Sequence, residues 1–124
     1  MSEDADLLAF VRQNVRSVWA LELLLLLRRD PQRRWAAGEL VRELRASPGL
    51  VIDNLAGFER GGISAPDDDE RHRYCPATPL LDGLCQRLEE AYRARPVAVV
   101  NMIAQPRDPV QSLADAFRLR GDEE

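Results

Sequence analysis

The sequence predicts a mainly α-helical domain that carries one small β-hairpin. Apolar residues recur at intervals of three and four along most of the chain, which is typical of helices packed on a core. Two short segments suited to extended structure flank an acidic tip, DDDE, at residues 67–70. With 124 residues, of which 45% are hydrophobic, the chain can bury a core without disulfides or metal. We therefore expect one domain over residues 1–124.

The N-terminal part of the chain predicts one long helix or two abutting helices. No glycine or proline occurs between Leu7 and Arg29, and Ser17 suits the N-cap of a second helix. Residues 17–29, SVWALELLLLLRR, are apolar on nearly every face, which indicates a helix buried on several sides or at a dimer interface. The apolar run within them is too short to span a bilayer.

Two shorter helices are predicted next, joined by a tight turn. Residues 36–46, AAGELVRELRA, have the apolar spacing of a short amphipathic helix. Ser47 and Pro48 suit the N-cap and the first position of the following helix. The apolar stripe of that helix comprises Val51, Leu55 and Phe58. The glycine pair at 61 and 62 is expected to end it.

The hairpin and further helices complete the predicted domain. Residues 63–66 and 71–76 are the two extended segments. Thr78 is expected to cap a helix whose apolar side comprises Leu80, Leu81, Leu84, Leu88 and Tyr92. Pro96 opens another helical segment, PRDP at 106–109 breaks it, and a last helical segment follows. The tail at 121–124 is expected to be disordered.

This order of elements is that of a winged helix-turn-helix. Residues 38–78 resemble bacterial winged-helix regulators of the MarR-like and ArsR-like type. The whole chain, including residues 16–31 and 113–120, looks like an uncharacterised proteobacterial subfamily. The residues that carry the resemblance are the second-helix anchors Leu40 and Leu44, the recognition-helix cap Ser47, the buried stripe Val51, Leu55 and Phe58, the wing entry Gly62 and Ile63, and the returning strand Arg71 to Tyr74. It implies a winged-helix core over about residues 17–78 and C-terminal helices over about 78–120. Since flanking helices often form the dimer interface in such families, a homodimer is also expected.

The resemblance implies a transcriptional regulator that binds double-stranded DNA. In such proteins the recognition helix enters the major groove, and wing arginines contact phosphates or the minor groove. The DNA-binding residues carried over are Arg34, Arg42, Arg45, Ser47, Gly49, Leu50, Arg71, His72 and Arg73. The outward positions of the helix are weak base readers, since Leu50 and Ile52 offer only methyl contacts and Asp53 would repel phosphates. Specificity would come from DNA shape.

Charge leaves two interpretations of the arginines open. The net charge is −4 and the sequence pI is about 5.1, so no global basic field attracts nucleic acid. All 17 basic residues are arginine, which suits phosphate contacts but also reflects codon usage in a GC-rich genome. Alternatively, they are surface residues paired with Glu39, Glu43 and the acidic tip. The competing function is a protein-interaction module in which exposed Leu50 and Ile52 form an apolar patch.

Other chemistry is weakly represented. His72, Cys75 and Cys85 are the soft ligands, too few for a structural zinc site, and no metal or cofactor is expected. One histidine and no GxSxG, HExxH or phosphate-cradling glycine loop argue against an enzyme. Two cysteines and a polar, acidic start predict a cytoplasmic protein. Trp19 and Trp35 are expected in the core or an interface, although Trp19 could line an effector pocket.

Overall fold

The computed structural model describes residues 2–104, with side chains from Ala5 onward. Its helices are α1 (Ser2–Asn14), α2 (Val18–Arg29), α3 (Ala37–Leu44), α4 (Pro48–Arg60), α5 (Pro79–Ala94) and α6 (Pro96–Ala104), and its strands are β1 (Ser64–Pro66) and β2 (His72–Tyr74). The prediction of a mainly helical chain with one small antiparallel hairpin is confirmed. The predicted last helical segment and the tail at 121–124 lie outside the described residues.

Helix α2 occupies the centre of the core. The helical structure is interrupted between α1 and α2. The Ser17 hydroxyl accepts a hydrogen bond from the N–H of Ala20 at 3.1 Å, as expected for an N-cap. The buried residues of α2 are Ala20, Leu21, Leu23, Leu24, Leu26 and Leu27. Because they point in several directions, α2 packs against neighbours on more than one side, as its apolar sequence predicts.

The two middle helices form as predicted. In the turn between them, Arg45 adopts the left-handed conformation at φ 55°. The Ser47 hydroxyl then accepts the N–H of Leu50 at 3.2 Å, and Pro48 occupies the first turn of α4. The stripe of α4 is at most 2% exposed and consists of Val51, Leu55 and Phe58. Gly62, at φ +77°, provides the left-handed turn that leads into the hairpin.

The hairpin is shorter than its predicted segments and gains a third participant. Ser64 pairs with Tyr74, and Pro66 pairs with His72. Trp35, between α2 and α3, exchanges both backbone hydrogen bonds with His72, at 2.8 and 2.7 Å. This bridge fixes the hairpin beside the start of α3, the first helix of the α3–α4 pair. The Trp35 side chain is 3% exposed and lies in the core.

Leu80 lies elsewhere than expected, and Trp19 lies at the surface rather than in the core, which leaves its predicted place at an interface open. Leu80 is 68% exposed, because it lies in the first turn of α5, before that helix meets the core, whereas Leu84 and Leu88 are buried. The prediction that Leu80 belongs to the buried side is therefore wrong. Trp19 is 43% exposed and lies outside the core, since α2 turns its leucines inward. Thr78 caps α5 through the N–H of Leu81, as predicted.

Candidate nucleic-acid interface

The exposed turn between α3 and α4 carries two arginines that no carboxylate contacts directly, although Arg42 helps from a distance to lower the pKa of the Glu39 carboxyl. Arg42 and Arg45 are exposed, and neither forms a hydrogen bond or an ion pair within residues 5–104. Ser47 and Gly49 are exposed beside them at the N-terminal end of α4. The helix dipole makes such an end attractive to anions, and the Gly49 N–H is the one available at positions 48–50, since Pro48 has none and Ser47 accepts that of Leu50. Two exposed arginines and a helix N-terminus thus lie on one continuous stretch of chain.

The basic residues of the wing are engaged by carboxylates of the same chain. Arg34 contacts Asp67 at 2.7 Å and Asp69 at 3.7 Å, both in the acidic tip. Arg71 contacts Glu39 at 3.3 Å and also donates to the Arg34 carbonyl oxygen at 3.2 Å. These contacts place both arginines in pairs that a phosphate would have to displace.

His72 is held in the same way, on the inner side of the hairpin. Its Nδ1 lies 2.9 Å from the Glu59 carboxylate of α4. The imidazole therefore ties β2 to α4, and its side chain is only 17% exposed. Sequence analysis did not foresee Glu59 as its partner, since the two residues lie 13 positions apart.

The carboxylates that hold the wing arginines are stabilised in the ionised form. The N–H of Arg71 lowers the pKa of the Asp67 carboxyl, and the N–H of Asp69 and the guanidinium of Arg34 lower it further. The N–H of Ala36 lowers the pKa of the Glu39 carboxyl, and Arg71 adds to that effect. Both carboxylates thus keep their negative charge at neutral pH, and they neutralise their arginines there.

The remaining outward residues lie on the hairpin and on α4. Arg73 is exposed on the outer side of the hairpin and forms no ion pair within the described residues. On α4, Ile52 is 55% exposed and Asp53 is exposed, as expected. Leu50 is half-buried, because it lines a narrow apolar cleft with Trp19. The expectation that Leu50 is freely exposed is corrected accordingly.

A polar recess of about 430 Å³ lies between the end of α1 and α4. Its lining comprises Gln13, Asn14, Arg16, Asp53, Asn54, Gly57, Arg60 and Gly61. Sequence analysis missed this site, because its residues come from two distant segments. Gly57 was its one local signal, since a glycine in a helix interior is unfavourable without a packing reason.

Replacing Gly57 with alanine should raise the free energy of unfolding by about 0.5–1 kcal/mol, the usual gain over glycine within a helix. A Cβ at Gly57 would meet only the Arg60 guanidinium, at 3.8 Å. Urea unfolding of the two proteins measures the difference. The matched control is Gly61→Ala, whose Cβ would overlap the Asn14 Oδ1 and displace that side chain from its hydrogen bond to the Phe10 carbonyl, so it should gain less stability than Gly57→Ala. An equal gain in Gly61→Ala would contradict the placement of Asn14 against Gly61.

A second polar cluster joins α2, β2 and α5, away from the α3–α4 turn. The Arg28 guanidinium donates to Glu89 at 2.9 Å and to the Tyr74 hydroxyl at 2.8 Å. The Tyr74 hydroxyl donates in turn to Asp82 at 2.6 Å. Burial raises the pKa of the neighbouring Cys85 thiol, which keeps it neutral and unreactive. We assign this cluster a structural role, because Arg28 ties α2 to β2 and α5.

The described part of the chain offers few other binding features. Within residues 5–104, no three histidine, cysteine or acidic side chains are arranged to hold a metal ion. None of the helices from α1 to α6 combines the length and apolar character needed to cross a membrane. Comparisons with protein-family models, with curated proteins and with solved structures give no match for this chain.

Proposed function

We propose that this protein is a winged-helix regulator that binds double-stranded DNA mainly through the turn between α3 and α4. The observation that carries the proposal is the pair Arg42 and Arg45, exposed and unpaired within the described residues, beside the N-terminal end of α4. Half or more of protein–DNA hydrogen bonds go to phosphates and sugars, and arginines and helix N-termini supply many of them.

The order of elements supports a winged-helix reading. Helix α2, the bridge at Trp35, helices α3 and α4 and the hairpin follow one another in the sequence of that motif. In this interpretation α4 is the recognition helix and residues 64–74 form the wing. The homodimer stays a prediction, and Val97 on α6, which is 71% exposed, is an apolar side chain that a dimer interface would cover.

The backbone at Arg45 adds to the argument for a binding role. A left-handed conformation costs an L-residue roughly 1–2 kcal/mol, and glycine is the usual residue at this position after a helix. Arg45 adopts φ 55° there while its side chain forms no hydrogen bond or ion pair with another described residue. An arginine at a position that favours glycine, without an ion pair in the described residues, supports the proposal that its charge contacts an external anion such as a DNA phosphate.

The same geometry limits how DNA would be read. The outward side of α4 presents Gly49, Ile52 and Asp53, which offer little hydrogen bonding to bases. The acidic tip of the wing would repel DNA phosphates, and Arg34 and Arg71 are already paired with carboxylates. We therefore propose weakly specific binding that depends strongly on salt, with few phosphate contacts.

A double variant at the α3–α4 turn tests the proposal. Arg42→Gln with Arg45→Gly should weaken binding to a duplex at low salt by about tenfold or more and reduce the salt slope by about 2. Fluorescence anisotropy across a salt series measures both quantities. The glycine should not harm folding, because it suits the left-handed position at Arg45.

The matched control is the wing double variant Arg34→Gln with Arg71→Gln. It removes the same number of positive charges, but from residues already neutralised by Asp67 and Glu39. We expect it to leave the salt slope nearly unchanged, since it removes no phosphate contact, although the carboxylates left without partners lower the affinity through long-range repulsion. A fall in the salt slope as large as that of the Arg42→Gln, Arg45→Gly variant would place the contacts on the wing, and no binding by the wild type at low salt would overturn the proposal.

A protein-interaction module is the second candidate, and exposed apolar side chains favour it. Ile52 is 55% exposed and Trp19 is 43% exposed. A protein partner would cover such exposed apolar side chains. In that case the wild type does not bind duplex DNA but does bind a purified partner protein. An Ile52→Asp variant should then lose its binding to that partner. A variant that keeps the partner would exclude Ile52 from the contact.

A further inference from the structure

The polar recess between α1 and α4 holds charged groups that do not pair with one another. Arg16, Arg60 and Asp53 all line it, yet the Asp53 carboxylate lies within 4.0 Å of neither guanidinium, and none of the three forms an ion pair with another described residue. The wing behaves differently, since Arg34 and Arg71 each find a carboxylate. Two guanidinium groups held around one hollow without internal neutralisation form a site suited to an external anion.

The backbone of α4 keeps this hollow open. A Cβ at Gly57 would project into space occupied only by the Arg60 guanidinium at 3.8 Å. A glycine inside a helix is unfavourable, and here no close packing explains it. A ligand that occupies the space beside Gly57 would explain why this position has no side chain.

We propose that this recess binds a hydroxylated organic phosphate monoester, of the size of a sugar phosphate or a nucleoside monophosphate. The phosphate group would lie between Arg16 and Arg60, whose planar guanidiniums suit its oxygens. A phosphate monoester carries close to two negative charges at neutral pH, which two arginines balance. Asp53 and the amide of Asn54 then supply acceptors and donors for hydroxyl groups.

The volume of the recess agrees with a ligand of this class. About 430 Å³ lies in the lower part of the range of small-molecule sites. Inorganic phosphate alone would leave the side of the recess near Asp53 unfilled. The proposal does not rest on DNA binding, because the recess residues differ from Arg42 and Arg45.

Isothermal titration calorimetry tests the proposal with the full chain, in the absence of DNA. The probes are ribose 5-phosphate and AMP, compared with inorganic phosphate, ribose and gluconate. We expect at least one of the two phosphate esters to bind about tenfold more tightly than any of the three comparison compounds. Equal binding of inorganic phosphate, tighter binding of gluconate, or no ester binding below roughly 5 mM would overturn the proposal.

Variants place the binding in the recess. Arg16→Gln and Arg60→Gln should each weaken ester binding by about tenfold, and Gly57→Leu should abolish it by filling the space. Arg29→Gln, an exposed arginine of α2 outside the recess, is the matched control and should bind normally. Circular dichroism checks that each variant is folded. Unchanged binding in folded Arg16→Gln, Arg60→Gln and Gly57→Leu variants would show that the ester binds elsewhere.

Discussion

Replacing Phe58 with alanine is expected to lower the free energy of unfolding by about 3–5 kcal/mol, the usual cost of removing a buried aromatic ring. Phe58 is 1% exposed and belongs to the single core that α2 and α4 share. The loss combines the apolar surface returned to water with the cavity left behind, because surrounding helices relax only partly. Urea unfolding followed by circular dichroism measures it.

The control for this prediction is Ile52→Ala on the same helix. Ile52 is 55% exposed, so its truncation should change the free energy of unfolding by less than about 1 kcal/mol. The comparison tests the register of α4, on which the outward placement of Gly49 and Asp53 depends. Equal losses in the two variants would contradict that register, and α4 would then present other side chains to the bases.

The elements of the helical pair could be predicted because their signals are local. Ser47 and Pro48 mark the start of α4, and Gly62 marks the turn after it, each within a few residues of the bond it makes. The buried stripe of α4 follows from spacing alone. Such features need no knowledge of the rest of the chain.

The partners of the arginines could not be predicted, because they depend on tertiary contacts. Arg34 and Asp67 lie 33 positions apart, and Arg71 and Glu39 lie 32 apart. The sequence therefore left two interpretations open, phosphate contacts or internal pairs. The structure shows internal pairs for these two arginines and none for Arg42 within the described residues.

The edges of the core were also beyond sequence reasoning. Leu80 has the spacing of a buried residue, but it lies where α5 has not yet reached its neighbours. The bridge between Trp35 and His72 involves one isolated residue, which no strand pattern reveals. Periodicity gives the face of a helix but not where along its length the packing begins.

Replacing Arg28 with alanine is expected to lower the free energy of unfolding by about 2–3 kcal/mol, somewhat below the cost of breaking a fully buried ion pair. The Arg28 side chain is 13% exposed, whereas its partners Glu89 and Asp82 are 27% and 52% exposed and regain water more readily. Burial lowers the pKa of Arg28, but hydrogen bonds to Glu89 and Tyr74 outweigh it and raise the pKa overall. Arg28 is therefore charged when it links α2 to β2 and α5.

Arg29→Ala is the matched control, because Arg29 is exposed at the end of the same helix and should contribute less than about 0.5 kcal/mol. Tyr74→Phe removes the hydroxyl but keeps the ring, whose centroid lies 5.1 Å from the Arg28 guanidinium carbon. Since Arg28 and Tyr74 share hydrogen bonds, the losses of the two single variants should not add in the double variant. Additive losses, or an equal loss from Arg29→Ala, would contradict a coupled cluster.

The Arg28 cluster also separates the wing from the proposed DNA contacts. Tyr74 ends β2, so loss of Arg28 loosens the hairpin against α2 and α5 without touching the turn at Arg42 and Arg45. Arg28→Ala, measured at a temperature where it is folded, should therefore keep DNA affinity within about threefold of the wild type. A loss as large as that of the Arg42→Gln, Arg45→Gly variant would mean that the position of the wing, rather than the α3–α4 turn, determines binding.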